Sequence, residues 1–288
     1  MSKIVKFAAG TTALLSSRAF AAWDLNMPVG VTELSRDIHG LHMLIFWICV
    51  VIATAVFGAM IFSIVNFRKS KGAIPASFDH NAKAEVLWTV IPIAILVGMA
   101  IPATETLIKI DDTTNSDLTV KVTGYQWKWH YDYLDKKVEF FSSLDEASNR
   151  ARQVGSGVDV STIPEYLRNV DKPLVVPVGA KVRLLLTSGD VIHAWWVPEF
   201  GMKRDALPGF VNEMWFRADK EGTFRGVCAE LCGRDHGFMP IVVEVKSKQD
   251  FDSWLKSQQG GDAAPVSTAA TPAATETTDA TAAVAKAE

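Results

Sequence analysis

The chain has 288 residues, 49% of them hydrophobic, a net charge of −3 and three cysteines. The mean hydropathy of +0.15 is rich for a purely soluble protein and directs attention to membrane segments. The acidic balance argues against a nucleic-acid binder, which needs a basic face. Cys49 lies inside an apolar run, so only Cys228 and Cys232 are placed to share a site.

The first stretch, MSKIVKFAAGTTALLSSRAFAAWD, carries Lys3 and Lys6, then a short apolar run, then Ala19-Phe20-Ala21. That order predicts a secretory signal peptide over residues 1–22. Residues 23–112 are expected to form a transmembrane hairpin. Its first span covers about 41–67, with no Asp, Glu, Lys or Arg, and its second about 86–108. A helix needs ~20 apolar residues to cross a bilayer core, and both runs are long enough. Pro92 and Pro102 are tolerable in the second span because neighbouring helices or water satisfy the freed carbonyls. Arg68, Lys69, Lys71 and Lys83 sit between the spans. Positive charge in a short loop marks the cytoplasmic side, so the mature N-terminus and everything after about residue 110 lie outside. Glu105 is then expected near the outer interface. Glu85 opens the second span at the cytoplasmic side, and ionisable groups at a membrane edge are functional candidates.

Residues 113–258 read as an outer domain. DLTVKVTGYQWKWHYDYL, PLVVPVGAKVRLLLTSGD, VIHAWWVPEF, FVNEMWFRADKEGTFRGVC and MPIVVEVKSK alternate like strands, with Gly and Pro between them. Such a series predicts an all-β sandwich or barrel. The more polar stretch from Ser142 to Asp171 reads as an insertion, with a short helix around Leu144 to Gln153. Gln249 to Gln258 reads as a terminal helix. From 259 to 288 the chain is Ala/Thr/Pro-rich with no large apolar residue except valine. It cannot bury enough surface to offset chain entropy and is expected to be disordered.

The chemistry concentrates in CAELCGRDHGFMP, a C-x3-C-x3-H-x2-M pattern over Cys228, Cys232, His236 and Met239. A disulfide is the plainest use of two cysteines in an oxidising compartment. It leaves His236 and Met239 without a role, and it ignores His193 in SGDVIHAWWVP. Together the two segments offer two thiolates, two imidazoles and a thioether. Zinc takes four Cys/His ligands and has no use for methionine. Thiolate, imidazole and a weak axial methionine suit copper in electron transfer. One cysteine suffices for a mononuclear site; the second lets two thiolates bridge two copper ions.

The two-helix hairpin, EVLWTVIP, GYQWKWHYDY, DVIHAWWVP, GMKRDALPG and CAELCGRDHGFMP together resemble subunit II of haem-copper cytochrome c oxidases of aa3 type. The resemblance implies a transmembrane hairpin followed by a periplasmic cupredoxin domain, a Greek-key sandwich or barrel, in a bacterial inner membrane. It implies that His193, Cys228, Cys232, His236 and Met239 hold the dinuclear copper centre called CuA, with Glu230 adding its backbone carbonyl. The Glu230 carboxylate would bind Mg2+ or Mn2+ shared with subunit I. Trp127 would accept electrons from cytochrome c, with Asp132, Asp135 and Asp190 as docking acids, although Lys136 and Lys137 interrupt that patch. Glu85 would mark a proton path into subunit I. The partners implied are subunit I, which carries the haems and reduces oxygen to water with proton pumping, subunit III, cytochrome c and membrane lipid.

Quinol-oxidase relatives have lost the copper ligands that this chain keeps. A stand-alone copper carrier would need only a single anchor. The similar copper domain of nitrous oxide reductase lacks this hairpin. No C-x-x-C-H occurs, so a fused c-type haem is excluded and the donor comes from outside.

Overall fold

A computed structural model describes residues 26–260 of the protein. The leader expected over 1–22 lies outside the described residues. So does the tail expected from 259, apart from its first two residues.

Two long helices, α1 (Glu33–Asn66) and α2 (Ala82–Asp111), form the hairpin. Both are apolar and long enough to cross a membrane. At ~1.5 Å per residue each outruns the ~30 Å bilayer core, so the helices continue as polar turns beyond the spans read from composition. Thr32 caps α1: its hydroxyl accepts from the Ser35 N–H at 2.9 Å, while Ser35 Oγ accepts from the Thr32 N–H at 3.1 Å. The same hydroxyl donates to the Phe200 carbonyl at 3.0 Å, which ties the helix start to the outer domain. At the other end of the hairpin, Asn81 caps α2 and its own N–H donates to the Glu85 carboxylate at 3.1 Å. The helix runs through Pro92 and Pro102 without ending.

The outer domain is a β-sandwich of ten strands. One sheet holds β1 (Leu118–Tyr125), β2 (Lys128–Tyr133), β3 (Val138–Ser142), β5 (Val182–Ser188) and β8 (Asn212–Phe216), in the order β3-β2-β1-β5-β8. The other holds β4 (Leu174–Pro177), β6 (His193–Val197), β7 (Met202–Ala206), β9 (Gly222–Cys228) and β10 (Ile241–Lys246), in the order β4-β10-β9-β6-β7. β1 pairs with β5 and β4 with β10 in parallel; the other pairings are antiparallel. Between the sheets lie Val120, Val122, Trp129, Tyr131, Leu184, Leu186, Trp195 and Val243, all fully buried. Trp195 of the second sheet stacks on Phe216 of the first, and Phe216 on Phe200. Aromatic pairs of this kind add ~0.5–1.5 kcal/mol beyond their burial.

Three details depart from the sequence reading. β3 and β7 were not among the predicted strands, because VEFFS and MKRDA are short and carry charges on their exposed faces. The strand-like segment DLTVKVTGYQWKWHYDYL is two strands and not one: Gln126 and Trp127 form the turn between β1 and β2. The insertion helix α3 (Glu146–Ala151) is shorter than predicted, and the terminal helix α4 (Lys248–Gly260) slightly longer.

The hairpin meets the sandwich through Leu34, which is buried in the sandwich core, and through polar contacts. Lys109 of α2 reaches Asp37 and Glu33 of α1 at 2.8 and 3.2 Å, and its carbonyl accepts from Trp215 Nε1 at 3.0 Å. Thr113, just past α2, donates to Glu213, which is also held by Arg183.

Candidate metal centre

His193 is the first residue of β6, and Cys228 is the last of β9; the two strands pair with Trp195 opposite Cys228. The loop from β9 to β10 brings Cys232, His236 and Met239 back to the same point. Cys228 Sγ lies 3.8 Å from His193 Nδ1, 3.9 Å from Cys232 Sγ and 3.4 Å from the Glu230 carbonyl. Cys232 Sγ lies 3.4 Å from His236 Nδ1 and 3.5 Å from Met239 Sδ. His193, Cys228, Cys232 and Met239 are buried. Both cysteines are free, and their sulfur separation is well beyond the ~2.05 Å of a disulfide.

Close packing makes this convergence possible. A Cβ on Gly124 would come within 2.8 Å of the His193 ring, so β1 can pass the histidine only as glycine. Trp129 packs its ring edge-to-face against His193, at 5.8 Å between centroids, and its Nε1 donates to the Met239 carbonyl at 3.3 Å. One buried indole therefore supports a ligand from each segment.

The electrostatics favour one thiolate over the other. Burial opposes ionisation of Cys228, but hydrogen bonds from His193 and from the backbone N–H of Ala194 outweigh it and lower its pKa. Burial, then the neighbouring Cys228, pushes Cys232 up to about 12. Metal binding must therefore displace a proton from Cys232, as ligation of any thiol does. For His193, burial works against the charged ring, yet its bonds to Cys228 and Asp190 leave the pKa raised.

The donor set suits copper. Five side chains offering two thiols, two imidazole nitrogens and a thioether face one point, with a single carbonyl oxygen beside them. Zinc would leave the methionine without a role.

The structure places the other predicted residues at various distances from this point. Trp127 sits half-buried in the β1–β2 turn, with its Nε1 donating to the Cys232 carbonyl at 3.3 Å. Glu230 lies between the two cysteines with its side chain exposed. Asp190 is committed inward: one carboxylate oxygen accepts from His193 Nε2 at 2.9 Å, and the other from the Gln126 N–H at 2.7 Å. Asp132 is on the outer face of β2 and Asp135 in the turn beyond it, at the end of the strand remote from Trp127. Glu85 is at the opposite end of the molecule, bonded to the Asn81 backbone.

Sequence reasoning missed Gln126, whose Nε2 donates to the Cys232 carbonyl at 2.9 Å, and the inward role of Asp190. A carboxylate three residues before a candidate ligand histidine was the available signal, since metal-bound imidazoles hand their second N–H to such a partner.

Residues 118–246 match the family model of the cytochrome c oxidase subunit II periplasmic domain, and residues 21–106 that of its transmembrane domain. A probable cytochrome c oxidase subunit 2 of Rickettsia felis is 40% identical over 250 residues, covering 85% of this chain and 76% of the relative. The chain belongs to the cytochrome c oxidase subunit II family. The subunit 2 of Cereibacter sphaeroides is 35% identical over 275 residues, covering 88% of this chain and 91% of that protein. The crystal structure of the periplasmic domain of subunit II from Bradyrhizobium japonicum aligns at 42% identity and a TM-score of 0.45, covering 51% of this chain and 96% of that one. For a subunit II, a membrane-anchored hairpin and an outer sandwich carrying a His/Cys/Cys cluster are the expected parts.

Proposed function

We infer that this chain is the electron-accepting subunit of a terminal respiratory oxidase in a bacterial inner membrane, with its sandwich in the periplasm. The observation that carries this reading is the cluster of His193, Cys228, Cys232 and Met239, all buried, with the half-buried His236 against Cys232 and the Trp127 indole bonded to the Cys232 backbone. A copper pair bound by those residues and the Glu230 carbonyl supplies a one-electron redox couple.

The protein's own part is positional. Asp190 takes the His193 Nε2–H, so that Nδ1, beside Cys228 Sγ, is the nitrogen that would give up its proton and turn its lone pair to a metal. Trp129, Gly124 and the surrounding core exclude water and hold the ligands still, so little rearranges when charge changes. Trp127 is where the electron from cytochrome c enters. Its hydrogen bond to the Cys232 carbonyl links the surface to a ligand. Asp132 and Asp135 contribute to docking of a basic cytochrome c, which mainly raises the association rate. Asp190, turned inward, contributes less to that surface than its sequence position suggests. The exposed Glu230 carboxylate is a hard oxygen donor suited to Mg2+ or Mn2+ against subunit I. Glu85 marks the cytoplasmic mouth of a proton path into subunit I. Subunit I, with its haems, receives the electron and reduces oxygen; subunit III completes the assembly.

The full-length chain in detergent, reduced and then given copper, tests this. Two coppers per chain, a purple colour and a mixed-valence paramagnetic signal are expected. A colourless product with Cys228 and Cys232 oxidised to each other overturns it. Trp127→Ala should slow electron uptake from cytochrome c at unchanged copper content; a parallel loss of copper would make Trp127 structural instead.

A further inference from the structure

The insertion between β3 and β4 has no part in the reading above, yet its short helix α3 lies against the ligand loop. Arg152, at the C-terminal end of α3, faces Asp235 with two nitrogens, at 3.3 and 3.5 Å from the two carboxylate oxygens. The side chains are only 22% and 14% exposed, so the pair is shielded from the solvent that weakens surface ion pairs. The guanidinium also lies over the Phe238 ring at 4.3 Å, and its Nε donates to Asn149 at 2.8 Å, which holds the fork in plane. Asp235 and Phe238 flank His236 in a single 3-10 turn, with the Phe238 N–H donating to the Asp235 carbonyl at 2.9 Å. Met239 follows immediately. The other cation at Asp235 is Arg234, 81% exposed and 3.5 Å away, a weaker partner.

Helix α3 is itself well anchored. Asp145 caps it, its N–H donating to the Asn169 carbonyl, and the buried Ser148 hydroxyl accepts from the Leu167 N–H at 3.1 Å. Trp127, Ser143, Asn149 and Phe238 line a small cleft of about 150 Å3 around the pair. A rigid outer element thus grips the turn that carries two of the five ligand side chains, while the sandwich grips the other ligands from inside.

We propose that Arg152 is a positioning residue for the metal centre, clamping the His236–Met239 turn through Asp235 and Phe238. This rests on the reading of His236 and Met239 as copper ligands. Outer contacts to metal ligands commonly change metal affinity by ~10–100-fold. The planar, stacked, two-pronged geometry is one that arginine supplies and lysine reproduces only in part.

The test compares the wild-type full-length chain with Arg152→Ala and Arg152→Lys. In the loaded protein, Arg152→Ala should release copper to a Cu(I) chelator about tenfold faster, with the lysine variant between. In the copper-free protein, the Phe238 amide should exchange hydrogen about tenfold faster, while the Val120 and Val122 amides in β1 keep their wild-type rates. Native values for both release and Phe238 exchange overturn the proposal. So does uniform acceleration of Phe238, Val120 and Val122 together, because that is a general loss of stability. If Arg152→Ala does not fold, the isosteric Asp235→Asn carries the same expectations. A wild-type chain that takes up no copper defeats the functional reading, and the exchange measurement still decides whether Arg152 holds the turn.

Discussion

In the hairpin, Phe57, Ile61 and Trp88 are more than half exposed, whereas in the sandwich Trp129, Tyr131 and Trp195 are fully buried. Both sets are large and mainly apolar, and the solvents differ. Most hairpin side chains face a bilayer, so their packing within this chain contributes little, and the helices are fixed at their outer ends by capping, by charge and by the burial of Leu34 in the sandwich core. Sandwich side chains face each other, and the same packing that stabilises the fold also places the ligands. The sharpest way to break this contrast is to make one substitution in both regions. Trp129→Ala should cost the outer domain ~3–5 kcal/mol, the range for a large buried aromatic. It also removes the ring against His193 and the bond to Met239, so copper content should fall with the melting temperature. Phe57→Ala should leave the melting of the outer domain within ~0.5 kcal/mol of wild type, as for residues away from a packed core. Equal effects of the two on thermal unfolding would mean that the middle of the hairpin is coupled to the sandwich core as well as its outer end.

Charge reverses the order of sensitivity. Val56→Lys puts an ammonium near the middle of the first span, where insertion scales assign ~2.5–3.5 kcal/mol against it. Membrane integration of α1, measured by the fraction of chain resistant to alkaline extraction, should drop. Thr223→Lys, at an exposed position near the start of β9, should change nothing beyond ~0.5 kcal/mol. Full integration of the Val56→Lys chain would argue that α1 is covered by protein at that depth and does not meet lipid.

The two regions also differ in how far the sequence discloses them. The hairpin is legible because absence of charge over more than twenty residues is a property of composition, and only the polar turns at 33–40, 82–85 and 109–111 escape it. The sandwich is legible strand by strand where Val, Leu and aromatics alternate, as in β1, β5 and β10. Its pairing is not: that β1 lies parallel to β5, or that β6 meets β9, depends on long-range packing that no local pattern encodes. Within the site, C-x3-C-x3-H-x2-M announced its chemistry because four unusual side chains share one loop. Strand alternation does not separate Trp127 from Trp129, which lie two residues apart, because a turn at Gln126 and Trp127 breaks the period. Asp190 looked like surface charge, and only the fold shows its carboxylate turned toward His193.

The smallest directed effect, beyond the two near-neutral controls, lies where the two regions meet. Glu213 of β8 accepts from Arg183 Nη2 and Nε at 2.6 and 3.0 Å and from the Thr113 hydroxyl at 2.9 Å, two residues past α2. The Arg183 bonds, working against partial burial and aided by Thr113, hold its carboxyl below the ordinary glutamate range. A carboxyl whose folded pKa is depressed contributes stability that is complete above the unfolded value, near pH ~4.3, and is lost as pH falls through the lower folded value. The side chain is 38% exposed, so solvent screening keeps the contribution under ~1 kcal/mol. Glu213→Gln should therefore lower outer-domain stability by that small amount at neutral pH. Wild type and variant should then converge as the pH drops below ~4, because the wild-type carboxyl is neutralised too. Urea unfolding of the full chain in detergent at pH 7 and pH 3.5 measures the difference. A gap between the two proteins that persists undiminished at pH 3.5 would mean that the charge of Glu213 is not what joins Thr113 and Arg183, and that the junction is held by its backbone contacts alone.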